Sequence, residues 1–193
     1  MNFNKHSELE GKHAILSASK YAWIRYTDDK MRSVYKKHRD SILGTRLHEF
    51  AAEAIELKIK FQEVDNTLNM YVNDAISFGM TPEVILYYSQ NAFGTADAIS
   101  FRPRKGQKSI LRIHDLKTGV SKTSFDQLYI YTAYFCLEYG VDINEIDVEL
   151  RIYQHSSFAY VIMGEDFEPS LIEYIMNKIK AFDEIIDTEA SYD

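Results

Sequence analysis

The stretch "LRIHDLKTG" (residues 111–119) ends a short apolar run in charged residues and a Thr-Gly turn. The alternating apolar residues are typical of a buried β-strand. Successive side chains of a strand point to opposite faces, so Asp115 and Lys117 share one face at a spacing of about 7 Å. His114 belongs to the other face. A strand end that carries a carboxylate and an ammonium group together is a candidate chemical site.

A second acidic residue lies on the preceding predicted strand. The segment "AFGTADAISF" (92–101) has a β pattern, and the polar turn "RPRKGQK" (102–108) joins it to residues 109–117, which predicts a hairpin. Pairing of this kind brings Asp97 and Asp115 together at one end of the sheet. Two such carboxylates repel, and one takes up a proton unless a cation lies between them. Hard oxygen ligands suit Mg²⁺ or Mn²⁺, and a neighbouring lysine suits phosphate chemistry.

The remaining chain alternates helical and strand patterns. Helices are predicted over residues 16–26, 40–61, 65–79, 123–140 and 168–187, and strands over 83–90, 92–101, 109–117 and, as a pair, within 146–164. This order predicts an α/β fold with a mixed β-sheet flanked by helices. At 193 residues we expect a single domain, with a helical segment over 1–40, a core over 41–163 and a C-terminal helix over 164–193.

Composition narrows the class of protein. Apolar residues make up 46% and charged residues 26% of the chain, which is typical of a globular protein. Cys136 is the single cysteine, so the chain by itself supplies neither a disulfide nor the cysteines of an iron–sulfur cluster. The opening residues lack the apolar core of a signal peptide, and no apolar run is long enough to span a bilayer. We therefore expect a cytoplasmic protein with no membrane partner.

The charge is unevenly distributed. The net charge of −7 argues mildly against a nonspecific binder of polyanions. Basic residues nevertheless cluster in two runs, one over residues 30–39 that contains Lys36 and one over 102–108 that contains Arg102, Arg104 and Lys105. Each run can be a solvated face, or it can contact the phosphates of DNA, and we expect the second run to adjoin the acidic strand ends.

Four motifs, taken in chain order, resemble the RecB-type branch of the PD-(D/E)xK nuclease superfamily. "GTRLHEF" is similar to the helical Gly-x-x-x-His element of that branch, and "GTAD" to its Gly-x-x-Asp motif. "DLKTG" matches Asp-x-Lys-Thr-Gly, and "QLYIY" matches Gln-x-x-x-Tyr. The resemblance covers about residues 14–155, although Ala96 stands where the superfamily's name has proline. It implies a restriction-endonuclease-like core of order αβββαβ, here with an extra strand and a C-terminal helix.

The resemblance implies a role for each matched residue. The implied metal ligands are His48, Asp97, Asp115 and the main-chain carbonyl of Leu116, and the implied ion is Mg²⁺ or Mn²⁺. Lys117 would be the catalytic lysine, Gln127 would support it, and Gln127 and Tyr131 would face the DNA. Relatives that carry an iron–sulfur cluster use four cysteines, so the single cysteine here points to a cluster-free branch. Viral and mitochondrial RecB-like exonucleases are of that kind, and a viral protein would act in the host cytoplasm.

The implied function is a metal-dependent deoxyribonuclease. We expect exonuclease action on single-stranded DNA or duplex ends, in DNA processing or recombination, beside recombination or replication proteins. Two alternatives stay open. The chain could be a catalytically silent nuclease-fold protein that binds DNA or a partner, or its His114-Asp115 pair could belong to a metal phosphohydrolase. The second is disfavoured, because that chemistry takes its ligands from helices and this pair ends a β pattern. His48 could also be an ordinary core histidine.

Overall fold

The computed structural model describes Ser7 and residues 14–190, and the chain divides into two compact units, residues 1–46 and 47–193. The first unit contains a 3₁₀ segment, Ala18–Arg25, where the sequence predicts an ordinary helix. Trp23 holds this segment with an indole N–H that donates to the carbonyl of Ser17 at 2.9 Å. The segment buries no residue. Tertiary packing, which provides most of the stability of helices in proteins, therefore does not stabilise an α-helix here.

The first α-helix is longer than predicted. Helix α1 spans Asp28–Glu56, so it takes in both the basic run and the histidine motif and passes from the first unit into the second. No proline interrupts this stretch, and Gly44 alone does not break it, since one glycine costs only about 1 kcal/mol in a helix. The helix ends five residues before the predicted boundary, and Lys58 just beyond it has a left-handed backbone with φ of 56°.

A mixed five-stranded sheet forms the centre of the second unit. Its strands are β1 (Thr81–Ser89), β2 (Ala92–Arg104), β3 (Gln107–Leu116), β4 (Ile146–Gln154) and β5 (Ser157–Ile162), and their spatial order is their chain order. The remaining helices are α2 (Thr67–Ser77), α3 (Asp126–Tyr139) and α4 (Pro169–Ala190). Strands β3 and β4 are parallel and every other neighbouring pair is antiparallel. The α/β prediction of a mixed sheet flanked by helices is confirmed.

The two faces of the sheet bury separate apolar clusters. One cluster joins α3 and α4 to the sheet through residues such as Leu111, Leu128 and Ile172. The other joins the end of α1 and α2 to the opposite face through residues such as Ile55 and Val72. Helix α3 makes the crossover that two parallel strands require. Among the helices that the structure describes, none is both long and apolar enough to cross a membrane.

Strand β3 therefore has both faces covered, and its polar residues separate between them. His114 is fully buried on the α2 face, where its Nδ1 lies 3.3 Å from the hydroxyl of Tyr153. That hydroxyl donates to Asp74 at 2.6 Å, and Asp74 also pairs with Arg151 at 3.0 Å. Burial lowers the pKa of His114 well below its usual value, so this histidine stays neutral. Asp115 points to the α3 face instead.

The buried thiol of Cys136 offers a test of the packing of α3. Its side chain is 2% exposed and burial raises its pKa to about 12, so both access and ionisation are suppressed. We expect almost no reaction with a thiol reagent at pH 8 in the folded protein and one thiol per chain in concentrated urea. Rapid labelling of the folded protein, at the rate of free glutathione, would contradict this packing.

Candidate metal centre

Three side chains from three different elements meet at one end of the sheet. His48 comes from the last turns of α1, Glu83 from β1 and Asp97 from β2. One nitrogen or oxygen donor atom from each lies within 4.8 Å of the others. His48 Nδ1 is 3.4 Å from the Asp97 carboxylate. An imidazole with two carboxylates is a donor set that can hold a divalent cation such as Mn²⁺ or Mg²⁺.

Strand pairing places Glu83 in this group. Because Val84 pairs with Ala96 in the antiparallel β1–β2 ladder, Glu83 lies across from Asp97. Glu83 has a left-handed backbone with φ of 50°, which is rare for a residue other than glycine and costs roughly 1–2 kcal/mol. Backbone strain of this kind is concentrated at functional sites. Glu83 is exposed, and together with His48 and Asp97 it forms what we term the acidic group.

Asp97 and Asp115 lie side by side, on neighbouring strands. The pairing of Ala98 with His114 brings Asp97 next to Asp115. Asp97 is held there by the backbone N–H of Leu116, which donates to its carboxylate at 2.8 Å. The Asp115 side chain is only 3% exposed. Asp115 therefore borders the group of His48, Glu83 and Asp97 without being a member of it.

A chain of hydrogen bonds links Asp115 to helix α3. Lys117 Nζ lies 3.0 Å from one carboxylate oxygen of Asp115 and 2.9 Å from the other. The same ammonium group donates to the side-chain carbonyl of Gln127 at 2.8 Å. The amide nitrogen of Gln127 then donates to the hydroxyl of Tyr131, also at 2.8 Å. The four residues singled out in "DLKTG" and "QLYIY" thus form one connected unit.

Gly94, the glycine of "GTAD", makes room for this unit. A Cβ atom at position 94 would lie 2.9 Å from Cε1 of the Tyr131 ring, closer than packed atoms allow. The ring is 9% exposed and has little space to move. The spacing Gly-x-x-Asp therefore has a physical reason, because the glycine admits Tyr131 and the aspartate three residues later reaches the ligand group.

The site carries more negative charge than its cationic groups neutralise, and the pKa values of Asp115, Glu83 and His48 are all raised there. Burial and then the charge of Asp97 raise the pKa of Asp115 to about 6, although Lys117 opposes the shift. Partial burial and then Asp97 raise the pKa of Glu83. A hydrogen bond to Asp97 raises the pKa of His48 in spite of burial. Repelling carboxylates that favour their protonated forms are the environment that a divalent cation stabilises.

Two arginines predicted to contact DNA lie at the far end of the hairpin. Arg104 follows Asp97 by seven residues on β2, a separation of about 23 Å along the strand, so the turn does not adjoin the acidic group as expected from the sequence. The Arg104 guanidinium pairs with Asp147. Arg102 donates to the carbonyl of Gly79 at 2.5 Å. Both side chains are engaged within the protein, and their contact with DNA stays a prediction.

The two predicted lysines are placed differently. Lys105 is exposed in the tight turn between β2 and β3, at the same far end as Arg104. Lys36 is exposed on α1 within the first unit. Exposure leaves both ammonium groups accessible to phosphates, and their role in binding DNA also stays a prediction.

Glu83 is the site residue that the sequence reasoning missed. It belongs to "EVILYYSQ", and no family motif marks it. A charged residue at the end of an apolar strand pattern was nevertheless the signal that singled out Asp115. Conversely, His114 and Asp115 face opposite sides of β3, so these neighbours cannot ligate the same ion. This geometry further disfavours a phosphohydrolase that uses the pair.

Comparison with known proteins found no match among protein-family models, curated proteins or solved structures.

Substitution of Gly94 tests the contact that positions Tyr131. We expect Gly94→Ala to lower the free energy of unfolding by about 1–3 kcal/mol, because the added methyl group overpacks against the buried ring. Gly119→Ala is the matched control, since a Cβ there meets no atom within 4 Å and the backbone needs no left-handed conformation. Urea denaturation measures both. Equal stabilities of the two variants would contradict the close approach of Tyr131.

Proposed function

We propose that this protein is a divalent-metal-dependent DNA nuclease with a restriction-endonuclease-like core of the RecB type. The observation that carries the proposal is the meeting of His48, Glu83 and Asp97 beside the Asp115–Lys117 pair at one end of the sheet. Ligands for a cation and a lysine next to them are what phosphodiester hydrolysis requires. The four motifs add support, because His48, Asp97, Asp115, Lys117, Gln127 and Tyr131 come together in space although they are spread over residues 48–131 of the sequence.

The ligand set follows from the side chains that can reach one ion. His48, Asp97 and Glu83 would hold it, with Asp115 and the carbonyl of Leu116 completing the shell. A bound Mg²⁺ or Mn²⁺ would lower the pKa of water from about 15.7 and would offset charge on the scissile phosphate. The N–H of Leu116 already fixes the Asp97 carboxylate, so this ligand is oriented before the ion arrives.

Lys117 has the position of a group that acts on the attacking water or on the phosphate. Asp115 and Gln127 hold its ammonium group between them, and Tyr131 holds Gln127 in turn. A cation fixed in this way can orient the attacking water, or stabilise negative charge on the phosphoryl oxygens, without reorganising during the reaction. Gln127 and Tyr131 are positioning residues for the lysine. Gln127 is exposed and is also accessible to a DNA strand, whereas Tyr131 is only 9% exposed, which disfavours the predicted contact of Tyr131 with DNA.

Exonuclease action is the form of the proposal that the family resemblance favours. The catalytically silent alternative keeps the fold as a module that binds DNA or a partner. Loss of activity during evolution removes the constraint on charged buried residues first, since they are costly to bury. Asp115 remains almost fully buried with Lys117 beside it, which favours an active enzyme.

Substitution of Lys117 tests the catalytic assignment. Wild-type protein is expected to degrade end-labelled DNA with Mg²⁺ or Mn²⁺, and Lys117→Ala to lower the rate about 10²–10³-fold, as removal of one preorganised electrostatic contact does. Lys180→Ala, which removes an exposed ammonium group from α4, is the control. Circular dichroism checks the fold of each variant. A Lys117→Ala protein that digests DNA at the wild-type rate would show the assignment to be wrong.

Calorimetric titration with Mn²⁺ tests the metal site separately from catalysis. We expect Asp97→Asn and Glu83→Gln each to weaken binding at least 10-fold, because each removes a charged ligand or its orientation. Glu165→Gln, an exposed acid outside the group, should bind as the wild type does. A wild-type site that both variants leave unchanged would contradict the ligand set. If the wild type binds Mn²⁺ and both variants weaken that binding, but the wild type cleaves no DNA, the result would favour the catalytically silent alternative.

A further inference from the structure

A cavity of about 360 Å³ opens beside Lys117. Four segments of the second unit surround it: α1 at Leu47, residues 66–68 at the start of α2, the end of β3 with the loop after it (residues 116–120), and the turn between β4 and β5. Lys117 thus borders both the acidic group and this cavity. The volume is within the range of small-ligand pockets, about 300–1,000 Å³.

Hydrogen bonds fix the walls of the cavity relative to one another. The side-chain amide of Gln154 donates to the carbonyls of Gly119 at 2.6 Å and Ser121 at 2.9 Å, so the loop after β3 is tied to β4. The backbone N–H of Ser156 donates to the hydroxyl of Thr67 at 2.7 Å, so the β4–β5 turn is tied to α2. The cavity is consequently formed by the folded chain itself, before a ligand binds.

The lining is part apolar and part polar. Leu47, Leu68 and Val120 supply apolar surface, while Asn66 and Thr67 supply amide and hydroxyl groups. Val120 is 88% exposed and leaves its apolar side chain accessible at the cavity. A planar heterocycle joined to a sugar has the same mixture, with an apolar face and polar edges, and it would cover Val120.

His155 gives the cavity a ring at its rim. His155 and Ser156 form the two-residue turn between β4 and β5, and both have left-handed backbones, with φ of 53° and 55°. Turns of this type strongly favour Asn-Gly, so a histidine here adopts a conformation that asparagine or glycine would adopt at lower cost. Backbone strain of this kind is concentrated at functional sites. A histidine ring can stack on an unpaired base.

We propose that this cavity binds the base and sugar of the nucleotide next to the scissile phosphate, with His155 stacked on the base. This inference rests on the proposed nuclease function, because it takes Lys117 to mark the position of the phosphate. A base enters such a cavity only after leaving its stack and its pairing partner, and that costs least in a single strand or at a frayed end. Single-stranded DNA and frayed duplex ends are therefore the substrates that fit.

Binding of two small probes tests the base contact. Deoxyadenosine 5′-monophosphate and 2-deoxyribose 5-phosphate share the sugar and phosphate and differ in the base. In the presence of Mn²⁺ we expect the wild-type protein to bind the mononucleotide about 10-fold tighter, a difference of about 1.4 kcal/mol. His155→Asn should remove most of this preference while it relaxes the turn, since asparagine suits a left-handed backbone. Tyr174→Asn, which removes an exposed ring on α4, should keep the preference.

Equal binding of both probes by the wild type, or a preference that survives in His155→Asn, would overturn the proposal. Cleavage of DNA with an abasic terminal nucleotide provides the second arm. The wild type should lose about 10-fold in kcat/KM relative to the intact strand, whereas His155→Asn, already lower on the intact strand, should lose little more. Equal losses in the two proteins would also overturn it.

The two arms separate this proposal from the nuclease proposal. A protein that cleaves no DNA but prefers the mononucleotide through His155 would keep the cavity assignment for nucleotide binding and lose the enzyme. A protein that cleaves DNA with no effect of His155 or of the missing base would keep the enzyme and lose the base contact.

Discussion

Repulsion among carboxylates held on adjacent strands is the constraint on which the rest of the site depends. The pairing of β1, β2 and β3 places the backbones of Glu83, Asp97 and Asp115 next to one another, so the three carboxylates lie at one end of the sheet. Burial of a carboxylate is costly unless it is paired, and the raised pKa of Asp115, about 6, expresses that cost. His48 and Lys117 offset only part of the charge. A divalent cation at this point would supply the remainder.

The surrounding structure makes this strained arrangement rigid. Strand β3 is fixed on one face by the neutral His114 and its hydrogen-bonded partner Tyr153, and on the other by the link from Lys117 through Gln127 to α3. Tyr131 of α3 packs closely against Gly94 of β2, so helix α3 is held against the strand that carries Asp97. Both faces of the sheet thus hold the strand end that carries Asp115, and on the proposed function this would orient the carboxylate before an ion binds.

Local patterns in the sequence predicted most of the fold but only part of the site. Alternating apolar residues and the polar turn predicted the β2–β3 hairpin, and with it the approach of Asp97 to Asp115. Glu83 escaped notice because its position depends on the register of a third strand and on a left-handed backbone, which no short pattern specifies. Arg104 pairs with Asp147, which lies 43 residues away in the chain. Local sequence therefore could not predict that this ion pair occupies the arginine.

The strands and the loops carry different parts of the candidate site. The carboxylates of the acidic group lie on paired strands, whose mutual hydrogen bonds fix the backbone positions of these residues. The cavity beside Lys117 is built instead from a helix start, a loop and a two-residue turn, elements that tolerate substitution. On the proposed function, substitutions at His155 or Val120 would therefore alter nucleotide binding while the ligand group stays in place. If the proposed function holds, the strands would carry the chemistry and the cavity would bind the nucleotide, and Lys117, which pairs with Asp115 and lines the cavity, is the residue that the two share.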